Sequence, residues 1–174
     1  IQAYENGERE LEPLLEKMGW KSWLGVAELG LVLQSDIVTF LEDKLTPAES
    51  KVLDLVKKRI AGEIDIDSIE DALVVARTPE TRDLALEGRL RMERGLVHFE
   101  NGQIEDARDD LTWAETRLKS VAKASRDHDI SLLNKAAFHI SIDEPMMALH
   151  VHGEISRKSG HANETIAISR IQAA

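Results

Sequence analysis

Histidines are the side chains of this sequence best suited to chemistry, because imidazole binds metals and exchanges protons near neutral pH. The chain contains 6 of them. His150 and His152 stand two residues apart in a segment that predicts a helix, which places them on nearly opposite faces. A metal shared by this pair would need His139 or His161 as a further ligand, brought close by the fold. We therefore expect no metal site and no bound cofactor.

An acidic loop offers a second kind of chemistry. Asp65 and Asp67 alternate as the ligands of a calcium-binding loop do, but residues 63–71 lack a third ligand, the glycine and the terminal glutamate. Asp67 or Ser68 is more naturally the cap of the helix that follows. The chain shows neither a glycine-rich phosphate loop nor a local Ser, His and Asp signature. We expect no catalytic residue, and an enzyme stays open only as a helical fold that assembles a site from distant residues.

The composition indicates a helical protein. Hydrophobic residues make up 43% of the chain, charged residues 31% and aromatic residues only 4%, with 4 prolines. Long runs are rich in Leu, Ala, Glu, Lys and Arg, which are strong helix formers. A length of 174 residues suffices for one well-buried domain or for about four or five helix hairpins. The expected fold class is all-α.

The charge is strongly acidic and unevenly distributed. A net charge of -10 argues against nucleic acid as a partner, since binding to phosphates depends on clustered Lys and Arg. Residues 1–87 hold 10 basic and 19 acidic side chains, whereas residues 88–174 hold 12 and 13. A basic or neutral partner is favoured over an acidic one, at least for the first half. The simpler alternative is that the acidic residues only keep a helical surface soluble.

The sequence gives fewer indications of the cellular compartment and of where the chain begins and ends. There is no cysteine, so disulfides and thiolate chemistry are excluded. We see no signal peptide and no apolar run approaching the roughly 20 residues that span a bilayer. We expect a cytoplasmic protein without membrane contact. Because the sequence opens at Ile1 and not at methionine, we also expect a fragment of a longer chain.

Residues 88–115 predict two amphipathic helices joined by a tight turn at Asn101 and Gly102. Small residues recur on the faces that must meet, and larger apolar residues fill the space between them. The small residues are Gly95, Ala107 and Ala114, and the apolar filling is Leu96, Phe99, Ile104 and Leu111. The first helix is expected to begin near Thr78 and Pro79, and the second to continue to about Ala124.

This stretch resembles a tetratricopeptide (TPR) repeat. Gly95 stands at the small crossing position of that family's first helix, and Gly102 at its turn. Ala107 and Ala114, with Leu111 between them, match the second helix. Two positions depart from the pattern: Arg91 stands where an aromatic is usual, and Arg94 where a leucine is usual. The chain resembles a divergent member of the family, of the longer-repeat type found in bacterial signalling proteins.

Internal repetition agrees with this resemblance. The sequence Ile-Glu-Asp-Ala occurs at 69–72 and again at 104–107, a spacing of 35 residues, close to the roughly 34 of TPR units. Both copies are expected to start the second helix of a hairpin. A looser unit follows, with Ala136 and Ala137 in its first helix, a turn at 143–145, and Ala148 in its second.

Further helices are expected along the rest of the chain. They are predicted at 8–18, at 20–34, at 36–44, from Thr46 as cap to about Ala61, and at 163–173. Inward positions are assigned to Val52, Leu53, Val56 and Ile60, and Ile166 and Ile171 form a face of the last helix that would need covering. We thus expect one domain over 1–174, built of about four or five helix pairs with its best repeat at 80–126.

The resemblance implies a right-handed superhelix of stacked hairpins with a concave groove. Its groove-facing residues would be Lys57, Arg89, Met92, Leu96 and Phe99, and these are the candidate partner-binding residues. The alternative for Met92 and Phe99, ordinary core between repeats, is equally consistent with the sequence.

The expected function is a non-catalytic scaffold that binds a protein or peptide partner in that groove, as a regulatory or signalling module. A stand-alone adaptor or secretion chaperone is the first alternative, and an all-helical enzyme is the second. A homo-oligomer is also expected, through the apolar segment Trp20 to Leu33 or through the C-terminal helix.

Overall fold

The computed structural model describes residues 42, 45, 47–80, 82–123, 125–155 and 160–174, and all regular structure among them is helical. The helices are α1 Pro47–Ala61, α2 Ile66–Arg77, α3 Leu84–Glu100, α4 Ile104–Val121, α5 Arg126–Ser141, α6 Pro145–Glu154 and α7 Asn163–Gln172. The all-α prediction is confirmed for this part of the chain. The helices predicted at 8–18 and 20–34, and nearly all of the one at 36–44, lie outside the described residues.

The chain divides into two compact units, residues 1–68 and residues 69–174. In the first unit, α1 ends at Ala61 as predicted and buries Val52, Leu53 and Val56. The inward assignment of Ile60 is wrong, because this side chain is 50% exposed. Ile60 lies on the same face of α1 as Val56, one turn nearer the C-terminal end of the helix, where the side chains are no longer buried. The expectation of one continuous array over 1–174 stays a prediction.

Asp65 caps α2, which explains the calcium-like alternation of the acidic loop. Its carboxylate accepts hydrogen bonds from the backbone N–H of Ser68 at 2.7 Å and from the Ser68 hydroxyl at 2.9 Å. The Ser68 backbone N–H is the main cause of the lowered pKa of Asp65. The predicted cap, Asp67 or Ser68, is therefore wrong by two or three positions. Asp67 lies instead in the first turn, where its charge complements the helix dipole.

The hairpin of α3 and α4 matches the central prediction. Gly102 adopts a positive φ of 75° in the turn, a conformation that glycine adopts without steric cost. The helices approach closely at Gly95, where a Cβ atom would lie 3.0 Å from the Leu111 side chain and 3.3 Å from the Ala107 carbonyl oxygen. Ala107 and Ala114 are fully buried opposite α3. The small residues thus set the distance between the two helices.

The boundaries of this hairpin differ from those predicted. Asp83 caps α3, accepting hydrogen bonds from the backbone N–H groups of residues 85 and 86, so the helix begins at Leu84 and not near Thr78. The Thr78 hydroxyl donates to the Val74 carbonyl oxygen at 2.9 Å and so serves the end of α2. At the other end, α4 stops at Val121. The repeated Ile-Glu-Asp-Ala motif opens α4 but begins at the fourth residue of α2.

The helices after the hairpin pack mainly on their neighbours. α5 packs on α4 and on α3, and both α6 and α7 pack on α5. Ala136 and Ala148 are buried, as the looser repeat predicts. In α7, Ile166 is buried but Ile171 is 76% exposed, so only part of the predicted apolar face is covered within the chain. A homo-oligomer that covers Ile171 stays a prediction.

Candidate functional site

The outer side of α4 carries an open face rich in arginine, hydroxyl groups and one tryptophan. Its positions recur every three or four residues along the helix, and α3 contributes one further arginine. The face borders an open cavity of about 820 Å³. We call it the Arg–Trp face and define it by Arg91, Arg108, Thr112, Trp113, Thr116 and Arg117.

Trp113 lies at the centre of this face, half-buried between two cations. The guanidinium carbon of Arg91 lies 4.4 Å from the centre of the indole ring, and that of Arg117 lies 5.0 Å from it. Such cation–π contacts contribute about 0.5–1 kcal/mol each at exposed sites and hold the ring in place. Among the described residues, no carboxylate pairs with Arg117. Its guanidinium donors are therefore available to a ligand.

A buried carboxylate fixes the α3 side of the face. Asp110 accepts from Arg94 Nε at 2.6 Å and Nη2 at 2.7 Å, and from Arg91 Nη1 at 3.0 Å. The bonds that Arg94 donates to Asp110, and a further one that it donates to Glu70, raise the pKa of Arg94 and keep it charged. Arg91 and Arg94 are the two positions where the sequence departs from the TPR pattern. In the structure both arginines bind Asp110, and Arg91 also packs its guanidinium against the Trp113 ring.

Arg108 anchors the other end of the face. Its two terminal nitrogens each donate to a Glu144 oxygen at 2.9 Å, and His139 Nδ1 lies 2.8 Å from the same carboxylate. Arg108 first, and then His139, lower the pKa of Glu144 to about 2. Glu144 directly precedes α6, so this ion pair joins α4 to the start of α6 and immobilises Arg108.

A second polar cluster is buried between α5 and α7. Asp129 Oδ1 lies 2.5 Å from His161 Nδ1, while its Oδ2 accepts from the Thr165 hydroxyl at 2.6 Å and from the Ala162 N–H at 3.2 Å. The rings of His128 and His161 are 5.5 Å apart between centres. Burial, and secondarily the proximity of His161, lowers the pKa of His128. This cluster of acidic and imidazole groups connects residues more than 30 positions apart in sequence.

The structure places two of the predicted partner-binding residues in the core. Met92 is 1% exposed and belongs to the cluster of Ala107, Leu111 and Phe138. Phe99 packs edge-on against Phe138, with ring centres 5.5 Å apart. Both side chains therefore pack as the alternative interpretation, ordinary core between repeats, predicts. Met92 offers no surface to a partner in this arrangement.

The other three predicted residues lie in different surroundings. Arg89 is buried and forms ion pairs of 2.9 Å with Glu93 and with Asp127 of α5. Leu96 is half-buried against the same core as Met92. Lys57 lies in the first unit, where it pairs with Glu42. The α3 residues are thus brought together by packing, and their role in binding a partner stays a prediction.

Sequence reasoning missed the Arg–Trp face although it lies within the central hairpin. One signal was present: Trp113 and Arg117 are four residues apart, on one side of α4.

The prediction that His150 and His152 lie on opposite faces of their helix is confirmed. His150 is exposed and His152 is buried against Ser169, so the two do face apart. His161, however, lies beside His128 and not beside His152.

Comparison with protein-family models, with curated proteins and with solved structures gives no match for this chain. Among the helices of the described residues, none combines the length and the apolar character needed to cross a membrane. Function must therefore be inferred from the residues themselves.

Proposed function

We propose that this protein is a non-catalytic scaffold of TPR-like architecture, which binds an acidic peptide segment of a partner protein on the Arg–Trp face. The observation that carries the proposal is the half-buried pair of Trp113 and Arg117 at an open cavity, with no carboxylate paired with Arg117 in the described part of the chain. Aromatic and arginine side chains of this kind dominate the energetics of protein interfaces.

The packing of the helices supports a TPR-like superhelix. α3 and α4 form a tight hairpin through Gly95 and the alanines of α4, α5 packs on that hairpin, and both α6 and α7 pack on α5. A single hairpin cannot bury its own apolar stripe, so stacking of this kind is what stabilises repeat arrays. A right-handed superhelix is the arrangement that the TPR resemblance implies for these hairpins.

The chemistry of the face favours an acidic occupant. The cavity at this face is lined by three arginines and Asp109; Arg91 pairs with Asp110 and Arg108 pairs with Glu144, which leaves Arg117 as the arginine there without a carboxylate among the described residues. A guanidinium group binds carboxylates through paired, charge-assisted hydrogen bonds, and each such bond contributes about 1.5–3 kcal/mol. The exposed hydroxyls of Thr112 and Thr116 offer further donors. Trp113 adds apolar contact area for the backbone and side chains of a peptide.

The face also differs from the groove that the sequence suggested. Arg89 is buried in ion pairs and Met92 is buried in the apolar core, whereas Thr112 and Thr116 are exposed. The composition favoured a basic or neutral partner over an acidic one, at least for the first half of the chain, and an acidic segment departs from that expectation. Residues 88–174 are nearly balanced in charge, with 12 basic and 13 acidic side chains, and Arg117 offers an acidic segment a local positive charge there.

Selection from a random peptide library tests the proposal. Peptides are selected on the wild-type protein, and their affinities are then measured for Arg117→Glu and for the control Arg170→Glu. Arg170 is exposed on α7 and lies outside the Arg–Trp face, so it matches the charge change. We expect selected peptides rich in Asp and Glu, with affinity lowered about tenfold or more by Arg117→Glu and little changed by the control.

Two results would contradict the proposal. One is a selected set without acidic enrichment. The other is an equal loss of affinity in both variants, which would reflect the general charge of the protein and not a site. Circular dichroism of each variant shows whether the helices remain intact.

A further inference from the structure

The buried cluster between α5 and α7 brings together two imidazoles and a carboxylate. One potential ligand atom from each of His128, Asp129 and His161 lies within 4.8 Å of the other two. All three residues are buried. His128 and Asp129 are held in the first turn of α5, and His161 directly precedes the cap of α7. The three side chains therefore come from two separate rigid elements that converge on one point.

The donor set suits a transition metal of borderline softness. Two histidine nitrogens and one carboxylate oxygen form the three-ligand sets of many zinc sites, where a fourth position is open. Zn–N and Zn–O distances near 2.0–2.1 Å in a tetrahedron require donor atoms about 3.3 Å apart. The three donor atoms lie within 4.8 Å of one another, so the widest pair would need to close by at most about 1.5 Å, and the 2.5 Å contact of Asp129 with His161 would need to open by slightly less than 1 Å. Side-chain rotations achieve shifts of this size.

The surroundings of Asp129 resemble the outer shell of a metal site. Metal-binding carboxylates are held by hydrogen bonds to their second oxygen, which fix the orientation of the ligand. The second oxygen of Asp129 accepts bonds from the Thr165 hydroxyl and from the Ala162 N–H. Glu115, which pairs with Lys135 at 3.2 Å, also acts electrostatically on His128. One of its buried oxygens has no hydrogen-bond partner among the described residues.

We propose that His128, Asp129 and His161 bind a single Zn²⁺ ion, which clips the start of α7 to the first turn of α5. This revises the expectation from sequence that the chain has no metal site. The ion would stabilise the last helix of the described chain without taking part in the binding of a peptide on α4.

Zinc titration of tag-free, chelator-treated protein tests this inference. Binding is measured by competition with a chromophoric zinc indicator, and Co²⁺ is added separately to report ligand geometry from its visible absorption. We expect one saturable site per chain and a Co²⁺ spectrum of tetrahedral type. His128→Gln and Asp129→Asn should each weaken binding at least about a hundredfold, and Thr165→Val about 10- to 100-fold.

The control variant is His150→Gln, which removes an exposed imidazole from α6 and should leave zinc affinity unchanged. His128→Gln keeps the hydrogen bonds of Asp129 to His161 and Thr165, so it remains informative if Asp129→Asn fails to fold. Absence of saturable zinc binding by the wild type would overturn the proposal and leave a purely structural hydrogen-bond cluster. So would binding that is unaffected by His128→Gln, or lost equally in His150→Gln.

Discussion

A pair of glycine-to-alanine substitutions probes the packing of α3 on α4. Ala is favoured over Gly in a helix interior by about 1 kcal/mol, and by roughly half that near a helix end. At Gly153, in the last turn of α6, an added Cβ atom meets nothing within 4 Å, so Gly153→Ala should stabilise the protein by about 0.5 kcal/mol. At Gly95 the Cβ atom would lie 3.0 Å from Leu111 Cγ, 3.2 Å from Asp110 Cβ and 3.3 Å from the Ala107 carbonyl oxygen.

Crowding at Gly95 outweighs the gain in helix propensity. Overpacking costs about 1–3 kcal/mol, and the neighbouring atoms cannot easily move because one belongs to the backbone and another to the ion-paired Asp110. Gly95→Ala should therefore destabilise the protein by about 1 kcal/mol net. Urea unfolding followed by circular dichroism measures both variants. A stability gain for Gly95→Ala equal to that for Gly153→Ala would refute the close approach of the two helices.

Three further predictions concern the same unit. Asp110→Ala should lower the free energy of unfolding by about 3 kcal/mol, since it removes the buried carboxylate that Arg91 and Arg94 share and leaves them only Glu87 and Glu70; a urea midpoint unchanged from wild type would contradict this. Leu111→Ala should cost about 2–5 kcal/mol in the same assay, because its side chain is fully buried between the helices. The pKa of Glu144, about 2 in the folded state, lies below its ordinary value of 4.5, so its contribution is present above pH 4.5 and is lost as the pH falls toward 2. Glu144→Gln should flatten the dependence of stability on pH over that window, and a curve parallel to wild type would argue against the pairing with Arg108.

Local signals in the sequence predicted the hairpins well. Glycine at the turn, and small residues at positions that must approach a neighbour, have one structural interpretation each, and Gly102, Gly95 and Ala107 all occupy the expected places. Helix starts were predicted less well. Several residues near a start can cap it, and only the structure shows that Asp65 and Asp83 do so.

The sites could not be predicted because they depend on contacts that are distant in sequence. Asp129 and His161 are 32 residues apart, and nothing local to either indicates that they meet. The Arg–Trp face depends on a carboxylate on α4 that orients Arg91 of α3. Conversely, Met92 looked equally suitable for a groove and for a core, and its burial depends on how α5 packs against the hairpin.

Fluorescence of Trp113 tests the central claim most directly. The chain has 3 tryptophans, so the double variant Trp20→Phe and Trp23→Phe leaves Trp113 as the only reporter. A selected acidic peptide and its counterpart with glutamine in place of glutamate are titrated into this protein. Binding on the Arg–Trp face predicts a saturable change in Trp113 emission with the acidic peptide only, and its loss in the Arg117→Glu background. Binding of the acidic peptide that leaves Trp113 emission unchanged, or that persists with Arg117→Glu, would contradict the proposed site.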